Sequence, residues 1–166
     1  MLLLTAAPCT GTATPALEGT ARVVDGDTLE VAGERVRLWG VDAPERSQTC
    51  RLAAQTWRCG RSAAEALGRL VEGREVRCEP RDRDRYGRVV AVCTIDGSDV
   101  AATMVREGWA LNFERYAEGA YRGAQQEARG KRAGLWQGQF IPPWQWRHEQ
   151  GTPGGWWPGA GHQRHQ

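Results

Sequence analysis

Residues 22–45 read RVVDGDTLEVAGERVRLWGVDAPE, and the reading of this stretch decides the fold. Val23-Val24 is a short apolar strand, and Asp25-Gly26-Asp27 is turn chemistry, because glycine takes positive φ freely and aspartate caps turns. Thr28 to Val31 resumes a strand and Gly33-Glu34 turns again. Val36, Leu38 and Gly40 then alternate with Arg35, Arg37 and Trp39 at the period of two that marks a half-buried strand. Pro44 stops that strand and leaves Glu45 on the loop beyond it. The result is a three-stranded meander whose turns and ends carry Asp27, Asp42 and Glu45, with Arg37 between them. Hard oxygen donors of this kind suit Ca²⁺ or Mg²⁺ better than zinc.

Outward from the meander, Gly60 to Glu72 places Ala63, Ala64, Leu67, Leu70 and Val71 at helical spacing, and Gly73 ends the helix. Residues 45–58 show no clear period and read as a loop with one helical turn at most. Glu75 to Glu79 and Arg88 to Ile95 are strands on either side of a charged turn, Arg81 to Gly87. Asp96-Gly97 turns the chain into a second helix, capped by Ser98 or Asp99 and running through Glu107. Trp109 to Phe113 is extended, and a third helix runs from Glu118 or later to about Arg132. This order predicts an α+β, mainly β fold: a five-stranded Greek-key barrel of the OB type, flanked by three helices. Pro142-Pro143-Trp144-Gln145-Trp146 is too aromatic for a linker and is expected to pack back on the barrel. The expected organisation is a leader or arm over 1–19, the barrel domain over 20–147, and a Gly/Pro/Trp-rich tail over 148–166.

The 166 residues carry a formal charge of +2, too little by itself to identify a nucleic-acid binder. Of 22 basic residues only Lys131 is a lysine; arginine supplies the planar fork that fits phosphate oxygens, although a G+C-rich genome would give the same bias. The five cysteines are Cys9, Cys50, Cys59, Cys78 and Cys93. The last four allow three pairings, of which Cys50–Cys59 and Cys78–Cys93 are favoured, one closing a short loop and one crossing a hairpin. Zinc and free thiols are the competing readings, the former without any CxxC. Disulfides imply an oxidising compartment, secreted or periplasmic. Leu2-Leu3-Leu4 and Ala6-Ala7 are apolar, but a basic start and a longer apolar core, which a signal sequence needs, are missing. No stretch approaches the roughly 20 apolar residues of a membrane span. All three histidines stand at or beyond position 148, which leaves a His-based hydrolase no general base. No phosphate-binding glycine loop followed by Lys-Ser or Lys-Thr occurs.

The DGDT of residues 25–28, Arg37 ten residues after its second aspartate, and VDAPE at 41–45 together resemble the signature of the staphylococcal nuclease (thermonuclease) family. Asp84-Arg85-Tyr86-Gly87-Arg88 is similar to the family's DRYGR turn, and the resemblance runs over roughly residues 20–147, ending near Gly134-Leu135-Trp136. The resemblance implies the same barrel. It also implies that Asp27, Asp42 and the backbone carbonyl of Ala43 are calcium ligands, that Glu45 is the general base towards water, and that Arg37 and Arg88 grip the phosphate. Arg83 and Arg85 become rim contacts to the substrate backbone and Tyr86 a stacking platform or a pin for its turn. Leu111 and Phe113 replace the tyrosines that line the nucleotide pocket of the family's best-known member, which puts hydroxyl contacts to a terminal phosphate in doubt.

The expected activity is calcium-dependent, sugar-nonspecific hydrolysis of DNA and RNA by a monomer, leaving 3′-phosphate ends. Single strands are the preferred substrate, because a barrel cleft admits one strand with splayed bases more readily than a stiff duplex. The first alternative is the same barrel binding single-stranded nucleic acid without cutting it. The second is an interaction domain of the cell envelope, for which the Trp/Pro-rich end is the argument.

Overall fold

In a computed structural model, residues 14–150 are described. Most of the expected arm, with Cys9, and the tail from Gly151, with His162 and His165, lie outside the described residues. The meander forms as β1 (Leu17–Asp25), β2 (Thr28–Val31) and β3 (Glu34–Leu38). Ala32 and Gly33 both take positive φ, 51° and 80°, which gives the tight β2–β3 hairpin the twist its strands need. Further on come β4 (Val41–Asp42), β5 (Cys50–Leu52), β6 (Gln55–Trp57), α1 (Cys59–Val71), β7 (Glu75–Arg83) and β8 (Val89–Ile95). The remainder is β9 (Ser98–Asp99), α2 (Val100–Arg106), β10 (Leu111–Asn112), α3 (Glu114–Ala117), α4 (Arg122–Gly130), a 3₁₀ turn (Gly134–Gln137) and α5 (Pro143–Glu149).

Five of these strands close into a barrel. β1 pairs antiparallel with both β2 and β7, and β7 pairs antiparallel with β8. The ring is completed by a parallel pairing of β3 with β8, in which Arg37 stands opposite Val90. The alternation of β8 explains its place: Val89, Ala91, Cys93 and Ile95 point inward and are buried, and the residues between them are half-buried. With Leu29, Val31, Val36, Leu38 and Val76 they fill the barrel, and α1 and α2 close it with Leu67, Val71, Met104 and Val105. A second, smaller core lies beside it, made of Cys50, Cys59, Leu111 and Leu135 with Trp57, Trp136 and Phe140 packed against them.

Both favoured disulfides form. Cys50–Cys59 ties β5 to the first residue of α1, and Cys78–Cys93 joins directly opposed residues of β7 and β8. Asp99 caps α2 by accepting the Ala102 N–H at 3.1 Å.

Three sequence expectations are corrected, and a fourth is completed. The stretch 45–58 holds the β5–β6 hairpin; its strands are mostly exposed on both faces, so they carry no alternation to read. β7 runs on to Arg83, through an irregularity between Pro80 and Asp82, so part of the expected turn is strand. The helix expected from Glu118 or later starts at Arg122, and a short α3 that was not expected precedes it, the two separated by Glu118 and Gly119, which both take positive φ. β1 reaches back to Leu17, which pairs with Cys78, inside the stretch assigned to the arm.

Candidate active site

The carboxylates gather where β2 begins and β4 ends. Asp27 precedes β2, and its Oδ2 accepts the Ala43 N–H at 3.1 Å while its Oδ1 accepts the Thr28 hydroxyl at 2.9 Å. That close approach depends on Gly26: a Cβ there would lie 2.9 Å from the Ala43 Cβ and 3.1 Å from that of Ala63. Asp42 is fixed by β4, which pairs with β10 (Leu111 opposite Asp42), and it is wholly buried. Arg37 rises from the non-core face of β3 between the two, 3.2 Å from Asp27 Oδ2 and 3.0 Å from Asp42 Oδ1. Two buried carboxylates sharing one guanidinium are a costly arrangement unless further partners balance them.

Glu45 stands on the loop after Pro44, and the start of α1 holds that loop in place. The Gly60 N–H donates to the Gln48 carbonyl at 3.1 Å and the Gln48 N–H to the Glu45 carbonyl at 2.7 Å. A Cβ on Gly60 would fall 1.7 Å from the Glu45 carbonyl oxygen, so no other residue permits this packing. The Glu45 carboxylate remains about one-third exposed.

Arg88 is held just before β8. Its Nε donates to Asp84 Oδ2 at 2.7 Å, and its Nη1 reaches the Thr28 hydroxyl at 3.5 Å. Asp84 also accepts the backbone N–H groups of Tyr86 and Arg88, which ties the turn into one conformation. Thr28 neighbours Asp27 in sequence and pairs with Arg37 across β2–β3, so both expected phosphate grips meet the same corner. Arg83, Arg85 and Tyr86 stand further out. Arg83 donates to the Gly87 carbonyl, and Arg85 lies over the exposed Tyr86 ring and donates to its hydroxyl. Their place is the rim of the β7–β8 turn, apart from the acidic cluster.

The residue missed in the sequence is Arg147. From α5 its guanidinium forks onto Asp42, with Nη1–Oδ1 3.1 Å and Nη2–Oδ2 2.7 Å, and Nη1 also donates to Glu45 Oε1 at 2.7 Å. The helix is brought there by three contacts. Gln139 pairs with Arg51 of β5, the buried Gln48 side chain donates to the Ile141 carbonyl at 2.7 Å, and Trp144 packs against Phe113 with ring centroids 5.6 Å apart. The expected return of the Trp/Pro segment onto the barrel is therefore real, and its final turn carries the charge. The signal was the basic residue directly after Trp144-Gln145-Trp146, read only for its aromatics. Leu111 faces the second core, whereas Phe113 joins Tyr116 and Trp144 in an aromatic group at the site's edge.

Charge follows geometry. Burial would raise the Asp27 carboxyl, but Arg37, the Ala43 N–H and Thr28 hold it below the ordinary range. Burial pushes Asp42 upward against the pull of Arg147 and Arg37, with Asp27 adding to the rise. Asp25, half-buried beside them, is raised to about 6 by burial and by Asp27. Among the described residues no three His, Cys, Asp or Glu side chains are gathered so as to hold a metal ion. The set expected here is two carboxylates and a carbonyl. Its donors are all hard oxygen, so a hard divalent cation fits the donor chemistry, while both acids are at present paired with guanidinium groups.

A closed five-stranded barrel with carboxylates and arginines at one corner is the architecture of a small OB-type nuclease domain. Residues 35–138 match the family described as Staphylococcal nuclease homologue, and the chain belongs to that family. It is 44% identical over 132 residues to the "Succinoglycan biosynthesis protein ExoI" of Rhizobium meliloti (strain 1021), covering 78% of this chain and 69% of that one. To an "Uncharacterized endonuclease" of Escherichia coli it is 38% identical over 136 residues, 78% of this chain and 83% of the other. To the "Micrococcal nuclease" of Shigella flexneri it is 32% identical over 143 residues, covering 76% and 77%.

Proposed function

We propose that the protein is a nuclease that hydrolyses the phosphodiester bonds of DNA and RNA with calcium, leaving 3′-phosphate ends. The observation that carries this reading is the convergence of Asp27, Asp42, Arg37 and Glu45 on one corner, in a chain whose relatives include proteins named as nucleases. Asp27, Asp42 and the Ala43 carbonyl are the proposed cation ligands; the bound cation would neutralise charge on the phosphate and lower the pKa of water beside it.

The chain's own groups do the rest. Arg37 and Arg88, reaching the Asp27–Thr28 corner from β3 and from the start of β8, supply two planar forks for non-bridging phosphate oxygens. They meet the oxygens that gain charge in the transition state, where such donors are worth most. Glu45, partly exposed and on a loop clamped by α1, orients the attacking water and accepts its proton; as a weak base it works mainly through position. Thr28 and Asp84 act through others, one bracing Asp27 and the other fixing the guanidinium of Arg88. Arg83, Arg85 and Tyr86 lie where the strand beyond the cut would pass, and an exposed aromatic ring there suits an unstacked base. Two disulfides suit an exported protein in an oxidising compartment, and no described helix is long and apolar enough to cross a membrane.

The test is cleavage of denatured DNA and of RNA, in calcium and in chelator, by the protein and by Glu45→Ser. Calcium-dependent cleavage that falls by a factor on the order of 10² or more in the variant is the expected result. Strand binding without cleavage, indifferent to calcium, would instead establish a binding barrel.

A further inference from the structure

The charge pattern of the acidic corner contains one cation too many for a site that must receive another. Both oxygens of the wholly buried Asp42 are engaged by guanidinium groups, Oδ1 by Arg37 and Arg147 and Oδ2 by Arg147. Glu45 Oε1 is engaged by Arg147 as well. Asp27 is braced from within the barrel by Thr28, Ala43 and Arg37. A divalent ion taken up by Asp42 therefore competes with a guanidinium for it, and the two candidates differ in how they are held. Arg37 is built into β3, opposite both Thr28 and Val90, and also donates to the Val41 carbonyl at 3.3 Å. Arg147 rides on a seven-residue helix behind Pro142-Pro143, and the contacts found for its side chain are to the two carboxylates themselves.

We infer that Arg147 is the displaceable counter-ion of the site, holding Asp42 and Glu45 until a divalent cation takes its place, and so setting the cation affinity of this protein. The inference rests on the cation reading given above. A buried, unpaired carboxylate is expensive, and a built-in guanidinium meets that cost in the ion-free protein. The same contact lowers apparent cation affinity, because only the fraction of molecules with Arg147 withdrawn is competent to bind. Arg147 is thus a specificity-determining residue: it demands an ion with enough charge to replace a bidentate guanidinium on Asp42. The groups around it agree with this role. Asp42 and Glu45 supply the negative charge that faces it, and Arg37 opposes it from the other side of Asp42.

The experiment is calorimetric titration of the whole chain with Ca²⁺, without nucleic acid, for the protein and for Arg147→Met and Arg147→Lys. Melting of each is followed with and without the ion. Arg147→Met is expected to bind Ca²⁺ on the order of tenfold more tightly. Its ion-free form should melt lower, and its gain on adding Ca²⁺ should be larger. Arg147→Lys, a single-point cation without the fork, should fall between the two. Equal affinity in all three proteins would overturn the inference and leave the cation site standing, and so would weaker binding in both variants, which would make Arg147 a support of the site. No Ca²⁺ binding in any protein that melts cooperatively would overturn the cation reading and this inference together.

Discussion

The two halves of the acidic corner are built to different standards. Arg37 stands on β3, whose register is set by β2 on one side and β8 on the other, Asp42 on β4, which pairs with β10, and Asp27 just before β2; both carboxylates are almost wholly buried. Arg147 reaches Asp42 from 105 residues away in sequence, and Glu45 beside it, on a short helix that opens at Pro142-Pro143. The first half is positioned by the barrel before any ligand arrives. The second rides on a helix seated by a few contacts, and its guanidinium is held by the charge it neutralises. Rigid scaffolds place catalytic groups, and lightly held ones exchange partners; here both kinds share Asp42.

Breaking the barrel half should have the largest effect. Arg37→Ala removes a proposed phosphate donor and leaves Asp27 and Asp42 short of a partner. Cleavage rate is expected to fall by a factor on the order of 10²–10³, and stability by about 3–5 kcal/mol, read from denaturant unfolding. If Arg147→Ala cost as much stability as Arg37→Ala, the distinction between the halves would disappear.

A smaller effect is expected where the lightly held half is tied down. β5 carries Cys50 and, through Arg51, the pairing to Gln139 that leads into α5. Replacing both Cys50 and Cys59 by alanine opens a short loop, worth about 2–3 kcal/mol by chain entropy. The loss should reach the α5 side first, seen as faster amide exchange over residues 139–149 than in the barrel strands. Uniform loosening of both regions would show that α5 is as firmly integrated as β3.

The smallest effect concerns Arg88. Hydrogen bonds and the charge of Arg88 hold the Asp84 carboxyl below its ordinary value, against a burial effect that would raise it. Its folded pKa is depressed, so its contribution is present above the unfolded value of 3.8 and fades as pH falls through the lower folded value. Asp84→Asn should therefore melt a few degrees lower than the parent at neutral pH, with the gap closing below about pH 4. A gap that stays constant down to pH 2 would mean that the turn owes its shape to geometry and not to ionisation.

How far the sequence could be read follows the same division. Alternation in β3 placed Val36 and Leu38 in the core, since a one-residue slip would have turned them to the wrong face. The positions of Asp27 and Arg37 at a turn and on a strand were legible from local chemistry, while the roles of Asp27, Arg37 and Asp42 rested on the family resemblance. The β5–β6 hairpin was not, since exposed polar strands have no hydrophobic period. Arg147 was not legible either: its partners lie far away in the chain, and an arginine on a short helix normally faces water. The Glu118–Gly119 break was hidden because a glutamate at φ 45° leaves no compositional mark.

The parallel pairing of β3 with β8 has a consequence for when the molecule can act. Antiparallel neighbours in the meander are close in sequence and meet early, but β3 waits for β8, and the corner holding Arg37 and Arg88 does not exist until that late strand is in place. Contacts between distant segments form slowly, after a loop-closure cost that local contacts never face. A chain still emerging from the ribosome with β8 unsynthesised has its acidic turn but neither the closed barrel nor Arg88. On the proposed reading, a protein able to cut RNA is harmless until β8 has been made and has docked, because topology defers assembly of its phosphate grip.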